Sequence, residues 1–145
     1  EDCAALSIEM DNGALVTSSI TLGAAEDVSR IKICFNNLTA VSGGSPDKPY
    51  NPADDEWRFL ARERVTQNQV DEILSKVEFT KSWYAGMFDE IGKRLDGDTS
   101  DEVTLLNARE SLEFVTAVYN SSREGKNIFL PIEKDNPLYN SWLPN

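Results

Sequence analysis

The tight-turn sequence Asp11-Asn12-Gly13 is the feature that most constrains the fold of this chain. Residues 3–10 on one side of it and residues 14–22 on the other both alternate between two faces with a period of two, which is typical of β-strands. Asp, Asn and Gly tolerate the positive φ angles that tight turns use. The sequence therefore predicts an antiparallel β-hairpin at the start of the chain.

The second strand of this hairpin carries no charged residue on either face. One face presents hydroxyl groups at Thr17, Ser19 and Thr21, and the other is mainly apolar. A face exposed to water usually carries Lys or Glu, so we expect another domain, a partner subunit or a substrate to cover this sheet. A plain solvent-exposed sheet is the alternative.

A second hairpin and a surface loop are predicted next. Residues 29–35 and 38–42 alternate in the same way and flank an Asn-Asn turn. Turn-forming residues then dominate positions 43–52, which predicts a loop that crosses the surface. We interpret the following Trp57-Arg58-Phe59 group as an anchor for this loop, with ligand contact as the alternative.

Helical spacing begins at Thr66. The Thr-x-x-Gln capping box of Thr66 and Gln69 predicts a helix through about Lys76, and a second helix is predicted over residues 80–95. The Thr-x-x-Glu box at residues 99–102 predicts the start of the longest helix, which should end near Glu124, before Gly125. A short strand over residues 128–131 and an aromatic tail complete a single α+β domain.

The apolar positions of the three helices are predicted to face the core, because they recur at intervals of three and four. They are Val70, Ile73, Leu74, Val77, Tyr84, Met87, Phe88, Ile91, Leu95, Val103, Leu106, Leu112, Val115 and Val118.

The charge balance argues against two classes of partner. The chain has 25 acidic and 14 basic residues and a net charge of -11, so it should repel nucleic acid and anionic membranes. No apolar run is long enough to span a bilayer, and no signal-peptide pattern is present. We therefore predict a cytoplasmic protein with neither nucleic acid nor membrane as a partner.

Histidine is absent from the chain, which removes the imidazole bases of Ser-His-Asp and Cys-His schemes and His-ligated metals. Cys3 and Cys34 are too few for a disulfide framework and wrongly spaced for a zinc site, so we predict ordinary buried thiols. No metal-binding residue is predicted.

The remaining titratable groups give one weak site candidate. Acid pairs recur along the chain, and we interpret them as solvated helix faces or caps. Lys81 and Tyr84 lie one helical turn apart, which suits a proton relay, although an exposed Lys beside a core or cleft Tyr is the commoner arrangement. Tyr84 is retained as the candidate substrate-binding residue.

The C-terminal third of the chain resembles the end of a known enzyme family. Its predicted helix contains the pattern Leu-Glu-x-x-x-Ala-x-Tyr-x-Ser from Leu112, followed by Ile128-Phe129-Leu130-Pro131 and then by Asn136-Pro137-Leu138-Tyr139 and Trp142. In this order the motifs resemble the C-terminus of the Gfo/Idh/MocA oxidoreductases, the glucose-fructose oxidoreductase and inositol dehydrogenase family.

The resemblance extends over nearly the whole chain. The first hairpin, with Asn12-Gly13 at its turn, and the strand from Ser29 to Ile33 resemble the opening of the family's C-terminal domain. Tyr84-Ala85-Gly86-Met87-Phe88 is similar to the family's Tyr-x-Gly segment before a helix. Residues 1–145 are thus identified as a member of the family's C-terminal domain class, a mainly antiparallel open β-sheet with helices packed on one face.

What the resemblance implies about function is partial. In the family, an N-terminal Rossmann domain binds NAD(P) and supplies a catalytic Lys in a Glu-Lys-Pro motif. This sequence has neither that motif nor a His, so no catalytic or cofactor-binding residue is assigned to it. NAD or NADP is expected for the full-length protein only, and the domain is expected to shape the substrate cleft and to form a homo-oligomer through the β-sheet face.

Two functions follow as hypotheses. The first is the C-terminal domain of an NAD(P)-dependent oxidoreductase that acts on a sugar, a polyol or a related small hydroxyl compound, with the Rossmann domain in a preceding segment. The alternative is a free-standing, non-catalytic dimerisation or sugar-binding module. In either case we expect this chain alone to be inactive as an enzyme.

Overall fold

The computed structural model describes residues 2–45, 47, 56–78, 81 and 83–142. These residues form two small antiparallel sheets and three helices, which confirms the α+β class. The chain divides into two compact units, Glu1–Trp83 and Tyr84–Asn145. The first unit contains both sheets and the first helix, and the second contains nearly all of the second helix together with the third helix and the C-terminal segment.

The predicted first hairpin is confirmed. Strands β1 (Cys3–Glu9) and β2 (Leu15–Thr21) pair antiparallel. In the turn, Gly13 has a φ of 81°, and the Asn12 side chain accepts a hydrogen bond from the Ala14 amide at 3.0 Å. The Asn side chain and the positive φ of Gly together explain why this sequence turns here.

The second hairpin is also confirmed, and it belongs to a three-stranded sheet. Strands β3 (Arg30–Cys34) and β4 (Leu38–Gly43) pair antiparallel, and β4 also pairs with β5 (Arg58–Ala61). Strand β5 was not predicted, because a strand of four residues has too few positions to establish an alternating pattern. Arg58 and Phe59 of the predicted Trp57-Arg58-Phe59 loop anchor therefore lie in a strand, and the anchoring role stays a prediction. Most of the predicted loop 43–52 lies outside the described residues.

Helix α1 (Gln67–Leu74) begins at the predicted capping box. The Thr66 hydroxyl accepts from the Gln69 amide, and the Gln69 side chain accepts from the Thr66 amide at 2.8 Å. The first helical residue, Gln67, lies against the outer edge of β5. Its side chain accepts from the Ala61 amide at 3.0 Å and donates to the Phe59 carbonyl at 2.9 Å, so one amide group takes the place of a neighbouring strand.

Helix α2 (Trp83–Leu95) lies within the predicted range, of which positions 80 and 82 are outside the described residues. Helix α3 (Leu105–Glu124) begins later than predicted. The capping box is formed by Thr104 and Asn107, and the predicted box of Thr99 and Glu102 is wrong. The Glu102 carboxylate instead accepts from the Ser100 hydroxyl and pairs with Arg94, which leaves it unavailable to cap a helix.

The end of α3 agrees with the sequence prediction, and the segment after it does not. Arg123 lies in the last turn and Gly125 forms a left-handed C-cap with a φ of 64°. Residues 128–131 are not a strand. The chain there is held by the Glu113 carboxylate, which accepts a hydrogen bond from the Ile132 amide at 2.8 Å, so a side chain of α3 replaces the strand partner.

Burial is more limited than the helical periodicity predicts. Val70 is buried as expected, but Ile73 is 65% exposed, and Val77, Tyr84, Phe88, Val103 and Leu112 are also exposed. The hydrophobic residues that are buried include Ala40, Ala117 and Ile132. Periodicity identifies the face of a helix that favours burial, but it does not show that another element covers that face.

Candidate functional site

Tyr84, the residue predicted from the sequence, lies in the first turn of α2, and its side chain is 71% exposed. It does not line the concave site that the structure forms elsewhere in the same unit. Tyr84 therefore remains a predicted contact residue on an exposed helix end.

The concave site is formed by the segment that follows α3. Residues 127–133 and 135–137 line a shallow, open depression of about 500 Å³, which has the volume of small-molecule sites but not their enclosure. The chain is turned into this segment by the C-cap at Gly125 and by the Ser121 hydroxyl, which donates to the Lys126 carbonyl at 2.8 Å. The bond between Glu113 and the Ile132 amide holds the base of the segment against α3.

The lining of this site combines one exposed aromatic ring with polar side chains. Phe129 is 87% exposed, and Glu133 and Asp135 are lining residues as well. The Asn136 side-chain oxygen accepts a hydrogen bond from the Leu138 backbone amide at 2.9 Å. This bond fixes the orientation of the Asn136 side chain and leaves its two N–H donors available to a ligand. An aromatic face beside carboxylate and amide groups suits a ligand that carries both C–H and hydroxyl groups.

Sequence reasoning missed this site because residues 128–131 were predicted to be a strand. The signal that could have found it is the spacing of polar and turn-forming residues around the apolar run, at Asn127, Asp135 and Asn136-Pro137. Such a pattern favours a loop that curves back on itself.

Charged side chains cluster at a different place in the second unit, between α2 and the segment before α3. Glu90 pairs with Lys93 and also accepts a hydrogen bond from the Asp101 amide at 2.8 Å. Arg94 Nε lies 2.8 Å from a carboxylate oxygen of Glu102. We call Glu90, Lys93, Arg94 and Glu102 the charge cluster.

The charge cluster keeps its carboxylates ionised. The hydrogen bond from Lys93, assisted by the Asp101 amide, lowers the pKa of Glu90, and the same bond raises the pKa of Lys93. The Ser100 hydroxyl, with Arg94 adding a weaker effect, lowers the pKa of Glu102. A general acid that works near neutral pH needs a raised carboxyl pKa. The lowered values of this cluster instead suit structural ion pairs.

The first hairpin is the other notable surface. Leu15 and Leu22 are each 78% exposed, and Ile20 and Val16 are exposed as well. Within the described residues, β1 and β2 form a sheet of only two strands. Cys3 and Cys34 are both exposed free thiols, so the prediction that they are buried is wrong. Cys3 is the first residue of β1 and Cys34 is the last residue of β3.

The described part of the chain contains no group of three or more His, Cys, Asp or Glu side chains placed to hold a metal ion. No helix among the described residues has the length and apolar character that crossing a membrane requires. Comparison with protein-family models, with curated proteins and with solved structures finds no match for the chain.

Proposed function

We propose that this chain is an accessory domain of an NAD(P)-dependent oxidoreductase that acts on a sugar, a polyol or a related hydroxyl compound. In this role it shapes the substrate cleft and contributes to an oligomer interface, while a separate Rossmann domain binds the cofactor and supplies the catalytic Lys. The motif order from Leu112 to Trp142 supports the family, and the surface of the first unit supports the accessory role.

The first hairpin is the observation that carries the accessory role. A two-stranded hairpin is marginally stable in water by itself, and this one exposes apolar side chains at Leu15, Val16, Ile20 and Leu22. Burial of apolar surface contributes about 25 cal/mol per Å². A covering domain or subunit would therefore stabilise this hairpin, which fits a domain that works in a larger assembly.

The charge cluster is consistent with this division of labour. Its lowered carboxyl pKa values and raised Lys pKa suit permanent ion pairs rather than proton transfer during a reaction. The accessory role therefore requires chemistry to come from the cofactor domain.

Two measurements test the proposal. The reading frame that encodes the chain should contain about 200 preceding residues with a Gly-rich βαβ unit. The protein translated from the whole frame should reduce NAD or NADP with a polyol substrate, whereas this chain alone should not. Turnover by this chain alone, or a frame without a dinucleotide-binding unit, would contradict the proposal.

A second function, a sugar-binding module, is favoured by the concave site of residues 127–137. Glucose and sorbitol are suitable probes, and titration followed by amide chemical shifts should move the signals of this segment. Phe129→Ala and Asp135→Asn should weaken that binding. Glu63→Gln, in the first unit, is the matched control because it changes a carboxylate far along the chain from the site. Shifts that persist unchanged in both site variants would exclude sugar binding at this place.

A further inference from the structure

The outer edge of β3 is a row of backbone groups without partners in the described chain. The Gly44 amide donates to the Ser29 carbonyl at 2.8 Å, and the Phe35 amide donates to the Leu38 carbonyl at 2.9 Å. Since hydrogen-bonded pairs alternate along an antiparallel ladder, the amide and carbonyl groups of Arg30, Lys32 and Cys34 point away from β4. Among the described residues no backbone hydrogen bond reaches them.

The opposite edge of the same sheet is closed. There the Gln67 side chain satisfies the outward groups of Phe59 and Ala61. Exposed strand edges are sites at which another extended chain can add. The sheet therefore has one edge that the chain itself covers and one edge to which no described residue adds.

Three cationic side chains share one face of this sheet, two on the edge strand β3 and one on β5, the strand at the opposite edge. Lys32 pairs with Val41, and Val41 pairs with Arg58, so Lys32 and Arg58 share a face at a separation of roughly 10 Å. Arg30 lies on the same face, roughly 7 Å along β3 from Lys32. We call Arg30, Lys32 and Arg58 the basic face.

The basic face is not neutralised within the described part of the chain. All three residues are exposed, and none forms an ion pair within 4.0 Å there, although Glu56 lies only two residues before Arg58. In a chain with 25 acids and a net charge of -11, three neighbouring cations without a carboxylate partner form a local surface of opposite sign. Its charge complements a carboxylate ligand.

The backbone edge and the basic face belong to the same residues, Arg30 and Lys32. A strand that adds to β3 places every second side chain on the basic face, directly opposite these cations. A second copy of β3 would set cations against cations, which is unfavourable. A nucleic acid would meet the repulsion of the whole chain.

We propose that the outer edge of β3 binds an extended acidic polypeptide segment with carboxylates at alternate positions. The main-chain groups of Arg30, Lys32 and Cys34 hold the segment as a fourth strand, and the basic face selects its charge pattern. This binding role is separate from the proposed oxidoreductase role and does not depend on it.

Hydrogen exchange on the whole 145-residue chain tests the backbone part. In the free chain the amides of Arg30, Lys32 and Cys34 should exchange faster than those of Ile31 and Ile33, which bond to β4. The peptide acetyl-Thr-Glu-Val-Glu-Val-Glu-Thr-amide should slow the three outward amides by about tenfold or more. Outward amides that are as protected as Ile31 in the free chain would show an edge already occupied, which would overturn the proposal.

Charge variants test the selectivity. Arg30→Gln combined with Lys32→Gln should weaken peptide binding by about tenfold, and Lys76→Gln, on α1, is the matched control that should leave it unchanged. The same peptide with Gln in place of Glu tests the charge requirement on the unaltered chain, so the result does not depend on how the variants fold. Equal affinity for the Glu and Gln peptides would overturn the proposal.

Discussion

The indole N–H of Trp142 donates a hydrogen bond to the hydroxyl of Thr116 at 3.1 Å. The same indole ring lies 5.1 Å from the Tyr119 ring, centroid to centroid, and Arg123 donates to the Trp142 carbonyl at 3.1 Å. One residue of the C-terminal segment thus contacts three successive turns of α3. This contact holds the end of the second unit in place.

Trp142→Ala should therefore destabilise the second unit by about 2 kcal/mol, since it removes a half-buried aromatic ring. Thr116→Val should cost about 1 kcal/mol, because it keeps the volume and leaves the indole N–H without its acceptor. Amide exchange of α3 during urea titration measures both effects. The difference assigns about half of the stabilisation or more to packing of the ring, and a Thr116→Val effect as large as that of Trp142→Ala would contradict this assignment.

Gln67 should contribute more to the free energy of unfolding than an exposed residue at the start of a helix usually does. Gln67→Ala removes the acceptor for the Ala61 amide and the donor for the Phe59 carbonyl, so we expect a loss of about 1 kcal/mol in the first unit. Asn68→Ala, at the next position of α1, is the matched control and should be close to neutral. Equal stability of the two variants would show that water replaces the Gln67 amide at no cost.

The start of α3 gives a direct test of which Thr caps the helix. Thr104→Ala should destabilise the second unit by about 1 kcal/mol, the usual cost of losing a capping side chain. Thr99→Ala should have little effect, because Thr99 lies outside the helix. Thermal unfolding of both variants followed by circular dichroism compares them, and a larger loss from Thr99→Ala would restore the capping box predicted from the sequence.

Local sequence signals predicted the turns and caps that depend on adjacent residues. Asn12-Gly13 and the box at Thr66 are examples, because each places its hydrogen-bonding groups within three residues of one another. The cap of α3 could not be chosen in this way. Two Thr-x-x-acceptor patterns lie five residues apart, and the carboxylate of Glu102 is drawn to Arg94 and Ser100, a contact between elements that no local pattern contains.

The concave site and strand β5 were missed for a related reason. Residues 128–131 have the composition of a strand, but no described strand lies beside them, and Glu113 supplies the hydrogen bond to the Ile132 amide instead. Strand β5 is defined by its pairing with β4 and by the Gln67 amide on its other edge. Non-local partners determined both outcomes.

The charge cluster predicts how the stability of the second unit depends on pH. Glu90 and Glu102 have pKa values below the ordinary carboxyl value of 4.5, so their stabilising contribution is present above pH 4.5 and is lost as the pH falls through the lowered values. Lys93 has a pKa above its ordinary value of 10.5, so its contribution is present below pH 10.5 and is lost as the pH rises further.

The second unit should therefore be most stable between these two pH limits. Glu90→Gln should make its stability fall less steeply as the pH is lowered. Thermal unfolding from pH 3 to pH 7 measures the change, with Glu110→Gln on α3 as the control. A control variant that makes this fall less steep to the same extent would show that general charge, and not this cluster, sets the dependence.

A single charge on the hydroxyl face of the first hairpin tests whether that face is covered in an assembly. Thr17 is exposed opposite Ser7, and Thr17→Lys adds a cation there without removing a described hydrogen bond of the turn. Thr21→Lys is less clean, since the Thr21 hydroxyl accepts from the Gly23 amide at 3.2 Å. If copies of the chain associate through this face, burial of an unpaired ammonium group should weaken their association at least about tenfold. Analytical ultracentrifugation measures it, with Asn68→Lys as a control of equal charge, and a mass that Thr17→Lys leaves unchanged would place the oligomer interface elsewhere.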